Sequence, residues 1–345
     1  MTAGLPPRPI RRAVLDPIYL PLALVLAATF GIVAVLARLI DQLRRLVLRR
    51  PTRGRVWRLA TLAAGYLLLD LIMVVGSFWL WLRAPLPGRR QAEQWRAEHV
   101  RLLRWVLRWL FAIAGRTLRF TVLLDEPVST PPAGSPPLLV LARHAGPGDS
   151  FTLVHLIASY LGRCPRVVLK AALQWDPGLD VLLNRLSCCF LASATGAGED
   201  RTEQLSALAA GLAADDALLL FPEGGNWTPR RWQRAIRRLR RQGRRARAEQ
   251  AARNQHVLPP RPGGTLACLA AQPGADVLVV AHTGLADLVS PAQIWRALPL
   301  LDRHMLIGWW RLPVAALPAG DSGRADWLDE QWQLVDGWVA AHSTS

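Results

Sequence analysis

PLLVLARHAGPGDSFTLVHLIASYL, residues 137–161, changes the period of its apolar residues midway. Pro137–Ala142 is an unbroken apolar run of strand length, as expected of a strand buried on both faces. Ser150–Leu161 spaces its apolar residues as an amphipathic helix does. Between them stand Arg143 and His144, the turn Gly146-Pro147-Gly148, and Asp149. Glycine tolerates positive φ and proline fixes its own, so the chain can fold back sharply at this point.

Working outward, the same alternation of strand and helix fills the chain from residue 119. RFTVLLDE (119–126) reads as a strand, followed by a proline-rich loop (127–137). RVVLK (166–170), CCFLA (188–192), ALLLF (217–221) and ADVLVVAH (275–282) read as further strands. Glu199–Ala213, a long basic segment Pro229–Arg253 and Ala325–Ala341 read as helices. This pattern predicts an α/β fold, a largely parallel sheet flanked by helices. Site residues in such sheets gather at the carboxyl ends of strands, and His144 and Glu223 both sit just past one.

A histidine acting as general base needs one fixed tautomer and a fixed ring orientation. A carboxylate accepting a hydrogen bond from Nδ1 supplies both and leaves Nε2 free. The turn can bring Asp149 back to His144 for that purpose. Asp149 is equally well placed to cap the following helix, with His144 unrelated to it. A second signal bears on the choice. Phe221-Pro222-Glu223-Gly224-Gly225 breaks off the strand ALLLF and sets backbone N–H groups beside a carboxylate, a suitable cradle for a phosphate.

Together these motifs resemble the glycerolipid acyltransferases of the 1-acylglycerol-3-phosphate type. RHAGPGD resembles their H-x4-D motif and FPEGG their FPEG motif, in the same order and at a similar separation. VLKAALQWDP (168–177) adds to the likeness; HVLPPRPGG (256–264) and AHTGL (281–285) resemble the longer branch that includes lysocardiolipin acyltransferases. The resemblance spans Trp95 to Leu285. It implies acyl transfer from acyl-CoA or acyl carrier protein, as co-substrate, to the hydroxyl of a lysophospholipid. His144 would be the base and Asp149 its support, with no cofactor, metal or acyl-enzyme. Glu223, Gly224, Gly225 and Arg143 would help to bind the substrate.

The chain departs from the family at two arginines. Phe190-Leu191-Ala192-Ser193 carries Ser193 where members commonly have an arginine, and Gly224-Gly225-Asn226 stands where Gly-Thr-Arg is usual. Arg201, Arg230 and Arg231 are the nearest candidates to bind the acceptor phosphate instead. The acceptor could equally be a different lipid.

The first 92 residues differ in character. Ile18–Ala37 is twenty residues without a charge, long enough to span ~30 Å of hydrocarbon. A second apolar run, residues 59–82, holds Asp70 at its middle, so it is expected to be re-entrant or packed on a partner helix. Arginines cluster after both runs, which two full crossings cannot satisfy and one crossing with a shallow hairpin can. Residues 1–92 are therefore expected to anchor the chain to the cytoplasmic membrane. Residues 93–345 are expected to form the acyltransferase domain facing the cytoplasm. Its first helix, 93–116, mixes tryptophans with arginines, as an interfacial helix or a core helix with outward arginines does.

Net charge is +17, with Lys170 the only lysine, and points to anionic partners. Eleven arginines in residues 228–253 surround a narrow stripe of Trp232, Ile236 and Leu239. Such a face suits anionic lipid, the donor's phosphates or carrier protein, or solvent alone. Nucleic acid is not expected, because a pure binder has no use for the two motifs. The remaining histidines, His282 among them, lack an aspartate at the spacing of His144 and read as structural. Cys164, Cys188, Cys189 and Cys268 form no metal-ligand pattern and read as small hydrophobes in a reducing compartment.

Overall fold

The computed structural model describes residues 5–49, 52–83, 93–127, 134–146, 148–191, 198–285, 288, 290–301 and 303–343. In chain order the elements are α1 (Arg8–Ile10), α2 (Asp16–Leu48), α3 (Arg55–Leu82), α4 (Glu93–Leu118), β1 (Thr121–Leu124), β2 (Leu138–Ala142), α5 (Asp149–His155), β3 (Cys164–Lys170), α6 (Pro177–Arg185) and β4 (Cys189–Leu191). There follow α7 (Gly198–Ala210), β5 (Asp216–Leu220), α8 (Pro229–Arg241), α9 (Arg245–Arg253), α10 (Pro262–Ala271), β6 (Asp276–Thr283), α11 (Pro291–Ala297), β7 (His304–Leu312) and α12 (Asp321–His342).

The strands form a seven-stranded sheet in the order β1-β7-β6-β2-β5-β3-β4. β2, the strand that feeds the glycine turn, lies at its centre. It runs parallel to β5, with Val140 opposite Leu219, and to β6, with Val140 opposite Leu278. β3 continues the parallel set beside β5. Every residue of β2, β5 and β6 is buried, so each reads in the sequence as an unbroken apolar run. β7 is antiparallel to β6 and is not among the strands expected from the sequence.

By its contacts the chain divides into two units: Met1–Thr121, Leu169–Ser193 and Ala292–Arg303, and Val122–Val168, Ala194–Pro291 and His304–Ser345. In the second unit, alternate residues of the strands (Leu139, Leu141, Leu218, Leu220, Val277, Val279) share one core with α10 and α12, through Cys268, Leu269, Leu328, Trp332 and Val335. The expected single basic helix is two. Gly243, at φ 73°, breaks it between α8 and α9. The stripe Trp232, Ile236 and Leu239 then folds onto Ala248 and Ala251 of α9, and the Trp232 indole donates to the Asn254 carbonyl at 2.7 Å.

The first unit holds α2 and α3, both long and apolar enough to cross a membrane. α2 leaves Leu22, Val25, Ile32, Val35, Leu39 and Leu43 exposed along its length. Asp70, the carboxylate inside the second apolar run, is fully buried against the start of α6, where a Cβ at Gly178 would come 2.0 Å from Oδ1. Asp70 thus packs on a neighbouring helix. α4 lies close on α3, where a Cβ at Gly65 would be 2.8 Å from Ile113. It buries His99, Val100, Leu103, Val106 and Leu107 while Trp105 and Trp109 stay exposed. α4 thus groups with the apolar helices and not with the sheet. Near the chain start, Arg11 pairs with Asp180 of α6 at 3.0 Å, both buried.

Candidate active site

The end of β2 and the turn after it place two side chains together. Gly148 adopts φ 91°, open to glycine at little cost, and Gly146 approaches the Leu285 carbonyl so closely that a Cβ would sit 2.9 Å from it. Asp149 opens α5, but its carboxylate turns back out of the helix. Oδ2 accepts from the backbone N–H groups of Ala145 and Gly146, each at 2.7 Å, and from His144 Nδ1 at 3.3 Å. The capping alternative is therefore not realised: the N-cap is Gly148, and Asp149 bonds residues that precede the helix.

Burial pushes the Asp149 carboxyl up. The positive influence of His282, the His144 hydrogen bond and the two backbone N–H groups more than offset that, and its pKa lies below the usual aspartate value. An ionised carboxylate only accepts, so His144 Nδ1 is the donor and Nε2 of the neutral ring carries no proton. The Asp149 side chain is 2% exposed and that of His144 23%, so the imidazole alone meets the solvent side.

The second motif holds the first. Glu223 Oε1 accepts from the His144 N–H at 3.1 Å, and Oε2 accepts from the Leu258 N–H at 3.0 Å. The Trp227 N–H donates to the His144 carbonyl at 2.7 Å, and the Phe221 ring stacks on the imidazole, centroids 4.4 Å apart. Backbone, ring face and Nδ1 of His144 are all fixed, mostly by residues 221–227.

Glu223 and Arg143 were expected to touch substrate, and both side chains are spent elsewhere. Each residue is 1% exposed. Arg143 donates to the carbonyls of His282 at 2.7 Å and His256 at 3.0 Å, and its burial lowers its pKa. Burial pushes the Glu223 carboxyl up to about 7, against the pull of the Leu258 N–H, Arg143 and the His144 N–H. Both act as frame: Glu223 holds two backbone N–H groups and Arg143 two backbone carbonyls. Glu223→Gln tests this, because an amide can offer only one acceptor to two facing N–H groups. The variant should lose roughly 1–3 kcal/mol of stability, read from denaturant midpoints, and about tenfold in turnover. Unchanged values would remove Glu223 from the frame.

The glycines of the same motif border a cleft. Gly224 faces the Arg261 guanidinium and Gly225 that of Arg231, which also donates to the Asn226 carbonyl at 3.1 Å. Arg231 thus lines the cleft. Arg230 is exposed on α8 outside the cleft lining, and Arg201 lies near enough to Arg261 to repel it. Ser193 and Pro147 lie outside the described residues.

Two residues escaped the sequence reading. His282 is fully buried, with its Nε2–H donating to the Arg143 carbonyl at 2.9 Å and lying 3.7 Å from Asp149 Oδ2. Burial lowers its pKa. Its link to the site comes from strand register, because Ala142, the last residue of β2, pairs with Val280 of β6, and β6 continues past it to carry His282 alongside the turn. Arg261 is the other, carried to the motif by a bond from its N–H to the Pro222 carbonyl at 2.9 Å. Among the described residues, no group of three or more His, Cys, Asp or Glu is placed to hold a metal ion.

Residues 119–281 match the family model described as Acyltransferase. No curated protein sequence matches the chain significantly. Among solved structures, the chain is similar to the crystal structure of the 1-acyl-sn-glycerophosphate (LPA) acyltransferase, PlsC, from Thermotoga maritima. The TM-score is 0.54 at 15% identity, over 85% of this chain and 100% of that one. At such identity the likeness is one of fold.

Proposed function

We propose that residues 119–281, which match the Acyltransferase family model, form a glycerolipid-type acyltransferase domain, and that the chain moves a fatty acyl group from acyl-CoA or acyl carrier protein to a lysophospholipid hydroxyl. The observation that carries the reading is the Nδ1–Asp149 contact with the imidazole edge left open. His144 Nε2 takes the proton of the acceptor hydroxyl as its oxygen attacks the thioester carbonyl. The resulting imidazolium is held by the Asp149 carboxylate. Collapse of the tetrahedral adduct breaks the C–S bond, and the leaving thiolate takes the proton back from Nε2. No covalent enzyme intermediate is needed. A 1-acylglycerol-3-phosphate is a suitable acceptor.

The exposed apolar side chains of α2 support membrane attachment, and a lysolipid acceptor would arrive from the same bilayer. We place the protein at the cytoplasmic membrane with its catalytic domain on the cytoplasmic side. The test is purified protein in neutral detergent, labelled acyl-CoA or acyl carrier protein, and a panel of lysophospholipids. Phospholipid ester should appear with one or more acceptors as the thioester disappears. Fatty acid released at the same rate without any acceptor would instead make the protein a hydrolase.

A further inference from the structure

The cleft beside the glycine motif has a volume of about 330 Å³ and is lined by Gly224, Gly225, Arg231, Arg234, Arg238 and Arg261, together with Glu223 and apolar side chains. Its construction follows from helix periodicity. Arg231, Arg234 and Arg238 stand at i, i+3 and i+7 on one face of α8, while Trp232, Ile236 and Leu239 hold the other face against α9. Arg261 closes the cleft from the far side, across Gly224.

Four guanidinium groups converge here without an acid to balance them. Glu223 is the only carboxylate of the lining, and both its oxygens are taken by backbone N–H groups. Among the described residues, Arg234, Arg238 and Arg261 form no salt bridge, and the charges acting on Arg261 are those of Arg238 and Arg201, also positive. One phosphate monoester carries about −1.5 to −2 charge, which one or two arginines already match.

From this excess we infer that the cleft binds a ligand carrying two neighbouring phosphates, gripped by Arg231, Arg234, Arg238 and Arg261. The inference deepens the proposed acyl transfer and rests on that assignment of the site. Two sources share this chemistry: a doubly phosphorylated lipid headgroup on the acceptor, and the nucleotide half of a coenzyme A thioester.

Titration of the full chain in uncharged detergent at fixed ionic strength tests it, using inorganic pyrophosphate against inorganic phosphate. Pyrophosphate should bind at least ~10-fold tighter, and Arg238→Gln and Arg261→Gln should each weaken it roughly 10- to 100-fold. The double variant Arg240→Gln/Arg241→Gln, exposed on the same helix and outside the cleft, should change it less than about 3-fold. Equal affinity for the two anions, or an equal loss in that double variant, overturns the inference. Competition by adenosine 3′,5′-bisphosphate assigns the cleft to the donor, and competition by a bis-phosphorylated lipid in the micelle assigns it to the acceptor. Binding is read without acyl donor. A protein that discriminates pyrophosphate but transfers no acyl group keeps the cleft and loses the proposed function, whereas an active protein that does not discriminate loses the cleft alone.

Discussion

His144→Ala is expected to abolish measurable acyl transfer, a loss of at least ~10³-fold, while the protein stays folded. A positioned general base contributes about 10²–10⁴-fold, and here the same nitrogen would also return the proton to the leaving thiolate. The contacts through which residue 144 supports the fold belong to its backbone: the N–H to Glu223 and the carbonyl to Trp227. Alanine keeps both. What it loses is the stack on Phe221 and the bond to Asp149, on a ring already partly open to solvent. Near-ultraviolet circular dichroism and the melting curve should therefore stay close to wild type while turnover disappears. Retention of more than a tenth of wild-type turnover by the folded variant would remove His144 from the chemistry.

The parts of this site that could be read from sequence are those set by neighbours in the chain. His144 and Asp149 are five residues apart, and two glycines decide whether they meet. The buried parallel strands β2, β5 and β6 announce themselves because burial on both faces leaves a run of consecutive apolar residues at the middle of each. The basic run shows its apolar stripe, yet its break at Gly243 looks from sequence like a tolerated glycine inside a helix. What stayed hidden depends on tertiary placement. His282 lies 133 positions from Asp149, and only the β2–β6 register makes it a neighbour of the same carboxylate. Glu223 sits in a motif that invites a ligand-binding role, and nothing local shows that backbone N–H groups from residues 144 and 258 consume both its oxygens.

The two motifs are therefore one structure. The FPEGG loop grips the His144 backbone from one side, and the Asp149 carboxylate fixes its ring from the other. His144 follows directly on the central strand β2, which has β5 and β6 on its two sides. The cleft arginines are carried by α8 and by the segment after α9, apart from the turn that carries the base.

Asp149→Asn should separate the two duties of that carboxylate. Oδ2 accepts two backbone N–H groups at 2.7 Å, and only an oxygen can take that place. The amide oxygen of asparagine is therefore held where Oδ2 was, and His144 Nδ1 still meets an acceptor, so the tautomer is kept. What disappears is the negative charge opposite the imidazolium. Turnover should fall about 10²–10⁴-fold with little change in KM, since the charge matters only once the ring is protonated. The melting temperature at neutral pH should move far less than in Asp149→Ala, which leaves two buried N–H groups without a partner at a cost of roughly 1–3 kcal/mol each. The sign of the pH effect follows from the lowered pKa of Asp149. Its ionised form stabilises the fold above the unfolded-state value near ~3.9, and that share is lost as pH falls through the lower folded value. Wild type should thus lose a share of its stability in strong acid that the asparagine variant never had. A near-normal turnover in Asp149→Asn would reduce the carboxylate to a staple for the turn and leave His144 without electrostatic support.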